Sequence, residues 1–173
     1  MNARERIPHD HPLHSPRPTR DPACADAWVD AAPFRSHLRH LCATTGLPWQ
    51  VVALYAGLSV RHADALLHGR RGRTLRRIPR PTAVRLWEVS PDALAGLRRV
   101  ACPAEPTARR LAAALLDGAR PALVAGALRW SPERLGAVLD GRVAGVTAVE
   151  ALLARALAEA VDRTRVPHET RAA

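Results

Sequence analysis

Lysine is absent: all 26 basic side chains of this 173-residue chain are arginine. A GC-rich genome depletes lysine codons whatever a protein does, but the chemical result stands. Every fixed cation is a planar fork that can meet two acceptors at once. Aromatic residues are scarce, at 3%, within a hydrophobic content of 47% made mainly of Ala, Leu and Val, and that composition favours helices. Cysteine is limited to Cys24, Cys42 and Cys102. An odd number at wide spacing excludes a disulfide framework and the paired Cys-x-x-Cys of a zinc or iron–sulfur site, so reduced thiols are expected. No apolar run approaches the roughly 18 residues of a membrane span, and the amino terminus lacks the apolar stretch of a signal peptide. The expectation is a cytoplasmic protein without a membrane partner.

Enzyme signatures are missing as well. His37 and His40 lie three apart and could pair as ligands, but the glutamate-containing metalloprotease spacing is absent. So are a glycine-rich phosphate loop, a serine elbow and a cysteine–histidine context. His9, His11 and His14 read as solvated tail residues rather than a metal site, because no second ligand cluster follows them. No catalysis, metal or cofactor is expected.

What the chain does have is an internal repeat. Shifted by 72 positions, Gly46-Leu47-Pro48-Trp49-Gln50-Val51-Val52-Ala53 lies over Gly118-Ala119-Arg120-Pro121-Ala122-Leu123-Val124-Ala125. Ser59 then lies over Ser131, and Leu67-His68-Gly69-Arg70 over Leu139-Asp140-Gly141-Arg142. Beyond that glycine the offset shrinks to 65, with Thr82-Ala83-Val84 over Thr147-Ala148-Val149, which implies seven extra residues in the first copy. A repeat with a localised insertion reads as duplication.

The charge is unevenly spread between the copies. Residues 34–99 hold 12 Arg against Asp64, Glu88 and Asp92, a net +9, whereas residues 104–165 hold 9 Arg against 7 acids, a net +2. Nearly all of the formal +10 therefore belongs to the first copy, as a polyanion partner would require.

Punctuation gives the elements. Residues 1–32 contain five prolines without an apolar period and read as a disordered tail, with a short helix near Trp28. Phe34, Leu38, Leu41 and Cys42 recur at helical spacing up to a stop at Thr45-Gly46. A second helix opens at Pro48 and runs through Val51, Val52 and Tyr55; Gly57 allows a left-handed turn; Ser59 caps a third helix ending at Gly69. Residues 70–80 hold six arginines in eleven positions with no acid, a basic loop. A fourth helix follows from about Thr82, with Val84, Leu86 and Trp87 on or near its apolar face, and a fifth opens at Ser90-Pro91.

Residues 102–106, with two prolines, read as a linker. The second unit repeats the plan: helices at 107–117, from Pro121 to about Leu128, and after Ser131-Pro132. A capping box at Thr147-Ala148-Val149-Glu150 precedes a final helix. The organisation expected is all-α: two tandem helix-turn-helix bundles of four to five helices each, at 33–100 and 104–165, with tails at 1–32 and 166–173.

The twenty residues from Trp49 to His68 place small Ala53 at a helix crossing, Gly57 at a turn, and Val52, Ala56, Leu58, Ala63 and Leu66 inward. Here the chain resembles the lambda-repressor and Cro-like family of bacterial helix-turn-helix regulators, over about 65 residues of the first copy and fewer of the second. The resemblance implies that the helix after Ser59 enters the major groove of double-stranded DNA. Ser59, Val60, Arg61, Asp64, Ala65 and His68 would then form the outward, base-reading face, with His62 at its border. Arg61 is the expected reader of guanine, and Gln50 the phosphate contact at the start of the preceding helix.

Asp64 counts against the reading, since a carboxylate is repelled by phosphate. Arg70, Arg71, Arg73, Arg76, Arg77 and Arg80 form a like-charged run that repels itself unless a polyanion neutralises it, and they are expected to hold phosphate.

In the second copy Arg129 replaces the turn glycine, and Ser131, Pro132, Glu133, Gly136, Ala137 and Asp140 take the outward positions. That copy is expected to pack, dimerise or bind a protein partner, with Trp130 in its core. The function expected is a sequence-specific, nucleoid-associated transcriptional regulator. The alternatives are a protein-interaction adaptor, antitoxin-like or polymerase-binding, and a non-specific nucleoid or RNA binder.

Overall fold

The computed structural model describes residues 27–71 and 73–165; the His9, His11 and His14 tail, Cys24 and the carboxy-terminal tail lie outside them. Among the described residues the chain is mainly helical, with nine helices and four three-residue strands. The chain opens with β1 (Trp28–Asp30), followed by α1 (Ala32–Thr45), α2 (Trp49–Tyr55), α3 (Val60–His68), β2 (Arg77–Pro79) and α4 (Arg80–Trp87). A short α5 (Pro91–Gly96) leads to the second set: β3 (Ala101–Pro103), α6 (Ala104–Leu116), α7 (Pro121–Leu128), α8 (Pro132–Leu139), β4 (Gly145–Thr147) and α9 (Ala148–Arg165). Among the described residues, no helix is long and apolar enough to cross a membrane.

Both sets run strand, three helices, strand, helix, and the strands close them. β1 pairs antiparallel with β2, Val29 opposite Ile78, and β3 pairs in the same way with β4, Cys102 opposite Val146. These ladders correct three expectations. Trp28 stands in a strand rather than a tail or a short helix. Residues 102–106 are no linker: Cys102 and Pro103 belong to β3, and Pro106 sits in the first turn of α6, where its missing N–H costs nothing. The insertion is four residues rather than seven, because Pro79 and Thr147 hold equivalent ladder positions at an offset of 68, against 72 before the loop.

The local signals that set the helices are visible in the backbone. Gly46 ends α1 in a left-handed conformation with its N–H on the Cys42 carbonyl, and Ser59, Ser90 and Ser131 cap α3, α5 and α8 with side-chain oxygens. The first core is built from Leu38 and Leu41 of α1, Val51 and Val52 of α2, Ala63 and Leu66 of α3, with Ile78, Leu86 and Leu94. The second holds Leu111, Val124, Leu128, Trp130, Leu135, Val138 and Val146. Val84 and Trp87 do not join the first core: both are exposed, Trp87 at 63%, and Trp87 instead meets Phe34 edge-on and the His37 ring at a tilt. Cys42 is part-buried against this core, and burial pushes its thiol up.

The two units are not independent. Helix α9 contributes Ala148 to the first core and the fully buried Ala154 to the second, and Leu153 packs against both. A third small cluster joins Ala156 to Leu54 of α2 and Val60 of α3.

The start of α9 is fixed by Glu150. Its carboxylate accepts from the Thr147 backbone N–H at 2.7 Å and the Thr147 hydroxyl at 3.0 Å, while the Glu150 N–H donates to Thr147 Oγ1 at 3.2 Å, completing the expected capping box. The same carboxylate accepts from Trp130 Nε1 at 2.7 Å and Arg134 at 2.9 Å. Burial alone would raise this carboxyl, but the Thr147 and Trp130 hydrogen bonds and the Arg134 charge outweigh it and hold the group below the usual range. A depressed carboxyl stabilises the fold fully above its unfolded value, and that contribution is lost as pH falls through the folded-state value. Glu150→Ala is expected to cost about 2 kcal/mol at neutral pH through the lost cap and the stranded indole donor. Urea denaturation between neutral and acid pH should show the deficit beginning to shrink below about pH 4.5, where the carboxyl of the unfolded chain takes up its proton, and losing its charge-dependent part as pH falls through the lower folded-state value. A deficit independent of pH would contradict this account.

Candidate nucleic-acid interface

The helix pair α2–α3 is built by its turn. Gly57 adopts φ +73°, which lets its N–H reach the Leu54 carbonyl at 3.0 Å and the Leu58 N–H reach Ala53 at 2.9 Å. The second copy makes the same turn, with Trp130 N–H on Ala125 at 2.9 Å, but Arg129 holds its left-handed position at φ +56°. An L side chain there carries about 1–2 kcal/mol of strain. Leu58 and Trp130 fill equivalent buried sites beside the two turns.

Helix α3 presents an edge rather than a full face. Arg61, His62 and His68 are exposed, Ser59 and Asp64 half-exposed. Val60 and Ala65, expected to point outward, are buried at 3% exposure each. Val60 is covered by Ala156 of α9, and Ala65 faces the groove between α3 and β2 rather than the outward edge of the helix. Asp64 accepts from or shares a proton with His68 Nδ1 at 2.9 Å, and the His68 ring meets Trp49 edge-on. The Ser59 hydroxyl is occupied by the His62 N–H and lies 2.9 Å from His62 Nδ1. From Arg61 to His68 this edge runs about 10 Å along the helix.

The amino-terminal end of α3 is closed. Glu159 of α9 accepts from the Val60 N–H at 3.0 Å and is itself held by Arg155 at 3.2 Å. Gln50, expected at an open phosphate site, is half-buried in a cleft of about 330 Å³ that α2 and α3 form with α9.

The basic loop lies beyond the carboxy-terminal end of α3. Arg70, Arg71, Arg73, Arg76, Arg77 and Arg80 are all exposed. Neither they nor Arg61 form an ion pair with a carboxylate among the described residues. The loop is nonetheless anchored. Arg70 and Arg73 exchange backbone hydrogen bonds at 2.9 and 3.0 Å, and the Arg76 carbonyl accepts from the Ala31 N–H at 2.9 Å.

Arg35 of α1 supplies the main brace, donating to the carbonyls of Leu66 and Leu75, both at 2.7 Å, while Arg39 reaches the Leu67 carbonyl at 3.3 Å. Sequence reasoning missed Arg35, Arg39 and Glu159. A signal for the first was present, because Arg35 shares the helical phase of Leu38 and Cys42, the inward face of α1.

His40 is exposed, and His37 lies against the Trp87 ring. Among the described residues no group of three His, Cys, Asp or Glu side chains gathers.

Gly69 is where α3 hands over to the loop. At φ +81° and ψ −174° it occupies a region essentially restricted to glycine, and a Cβ there would stand 2.4 Å from the Arg73 carbonyl oxygen. Gly141, its counterpart, has φ +72° and open space around it. Gly69→Ala is therefore expected to cost about 1–3 kcal/mol from backbone strain alone and to shift the loop amide resonances, whereas Gly141→Ala costs about 1 kcal/mol without a rearrangement. Equal destabilisation and undisturbed loop resonances in both variants would refute a fixed loop. Comparison with known proteins adds no assignment: no family model, curated protein or solved structure matches this chain.

Proposed function

We propose that the chain binds double-stranded DNA through the exposed edge of α3 and the arginine loop, and acts as a transcriptional regulator. The observation that carries the reading is the set of seven exposed arginines, Arg61 and the six of the loop, with no carboxylate partner among the described residues. They extend from α3 into a loop braced by Arg35 and the β1–β2 ladder. Arginines held in this way offer two-pronged bonds to phosphate or to the guanine edge. Arg61 is the base reader in this proposal, with His62 and His68 beside it, and the loop arginines hold the strand backbone. The second unit serves as a brace through α9, and the acidic edge of α8, with Glu133 and Asp140, is the surface left for a protein partner or a second copy.

A second reading, charge-led binding to any duplex, is favoured by a specific observation. Val60 and Ala65 are buried, Asp64 is tied to His68, and Glu159 closes the amino-terminal end of α3. Few side chains are then left to read bases.

The two readings separate on two variants. Under sequence-specific binding, Arg61→Ala loses about 1–3 kcal/mol of discrimination between selected and random duplexes while the salt dependence stays unchanged. Arg76→Ala weakens all duplexes and lowers the slope of log affinity against log salt by about 0.9. Fluorescence anisotropy on a duplex selected from a random pool, repeated over a range of salt, measures both. Equal affinity for selected and random duplexes favours the charge-led reading. Unaltered duplex binding in both variants removes the interface altogether.

A further inference from the structure

Between α3 and β2 lies a groove of about 320 Å³ whose apolar floor neither base reading nor phosphate holding uses. Its floor is apolar: Leu58, Leu66 and Ile78, each no more than 4% exposed, with Ala65 on the α3 side. Arg70 and Arg77 line it together with His62, and none of the described lining residues is acidic. Trp28, from β1, also lines it and stays 59% exposed, a large aromatic left in water. The volume is at the lower end of small-molecule sites, which run from about 300 to 1,000 Å³.

The geometry points to a site for a small amphipathic anion, a single ring system bearing one carboxylate or phosphate. The ring would lie on the leucine and isoleucine floor against Trp28, and the anionic group would meet Arg70 and Arg77. An apolar floor without a cation would favour a neutral ligand, and a cationic rim without a floor would hold only inorganic ions; here both are present, with no carboxylate among the described lining residues. The site itself does not rest on the DNA reading. Its consequence does: a ligand that neutralises Arg70 and Arg77 removes two of the loop's phosphate contacts, so occupancy would lower duplex affinity, with the reciprocal effect of DNA on ligand affinity.

The test uses the full chain without DNA and three probes, 2-naphthoate, indole-3-acetate and phenyl phosphate, with 2-naphthamide as the neutral control. Nitrogen-15 NMR titration should show saturable one-site binding of at least one anionic probe, moving the Trp28 indole resonance, which Trp28→Phe identifies. The amide should bind at least about tenfold more weakly than 2-naphthoate, and the Arg70→Gln/Arg77→Gln variant should lose about tenfold for the anions. Both arginines are exposed, so folding should be unaffected, and Ala65→Leu offers a second, groove-filling block. Failure of all three anions to saturate, equal binding of the amide, or undiminished binding to the double variant would overturn the site. Adding duplex then separates the ideas. Unchanged duplex affinity at saturating probe overturns the effector role, whereas absence of duplex binding without probe overturns the DNA reading and leaves the site standing.

Discussion

Helix α9 is the constraint on which the arrangement depends. It places Ala148 in the first core, Ala154 in the second, and Ala156 with Glu159 against the start of α3. Small residues at these positions let the helix lie close to two cores at once, which larger side chains would prevent. Because α9 is capped and tied by Glu150 to Trp130 and Arg134 of the second unit, that unit fixes where Glu159 stands. The exposure of α3 in the first copy is thus decided by packing in the second. This linkage makes α3 an edge, with Arg61 and His68 outside and Val60 inside.

The arginine loop raises the question of why so many like charges tolerate being held together. Two unit charges on the order of 10 Å apart in water repel by about 0.4 kcal/mol, and salt reduces this further. Against that stand the Arg35 fork on two carbonyls, the Arg70–Arg73 backbone exchange and the Ala31–Arg76 bond, each contributing about 1 kcal/mol or more. The anchoring runs through backbone groups and the part-buried Arg35 fork; the repulsion is between solvated side chains. The scaffold therefore tolerates the cluster without neutralising it, and the field stays available to a partner.

Much of this was legible in advance, because it rests on local chemistry. Gly46 as a helix stop, Gly57 as a left-handed turn, Ser59 and Ser131 as caps, Thr147 with Glu150 as a capping box, and Trp130 as core all follow from residue type and spacing, and the structure agrees. Arg129 in the left-handed region followed from the repeat alone. What escaped was set by distant partners. Trp28-Val29-Asp30 is too short for a period-two signal and becomes a strand only through Arg77-Ile78-Pro79, some fifty positions away. The seven-residue insertion came from matching Thr82 with Thr147, a local likeness that strand register overrules. Val60 and Ala65 were placed outward on the geometry of an isolated motif, and the burial of Val60 depends on α9, far along the chain.

The two halves differ in charge at equivalent positions. Around α8 the exposed positions carry Glu133 and Asp140, and Asp140 pairs with Arg142 at 2.7 Å; around α3 the corresponding flank carries Arg61 and six loop arginines without such pairs among the described residues. A polyanion attracted to the first copy would be repelled by the same surface of the second. Yet the second copy keeps the turn even with a strained Arg129, which selection for DNA contact cannot explain. Its requirement for α9 can: the turn orients α7 and α8 around Trp130, Trp130 holds Glu150, and Glu150 starts the helix that ends beside α3. The fold of the second copy is retained, in this argument, for the helix it delivers rather than for the edge it exposes.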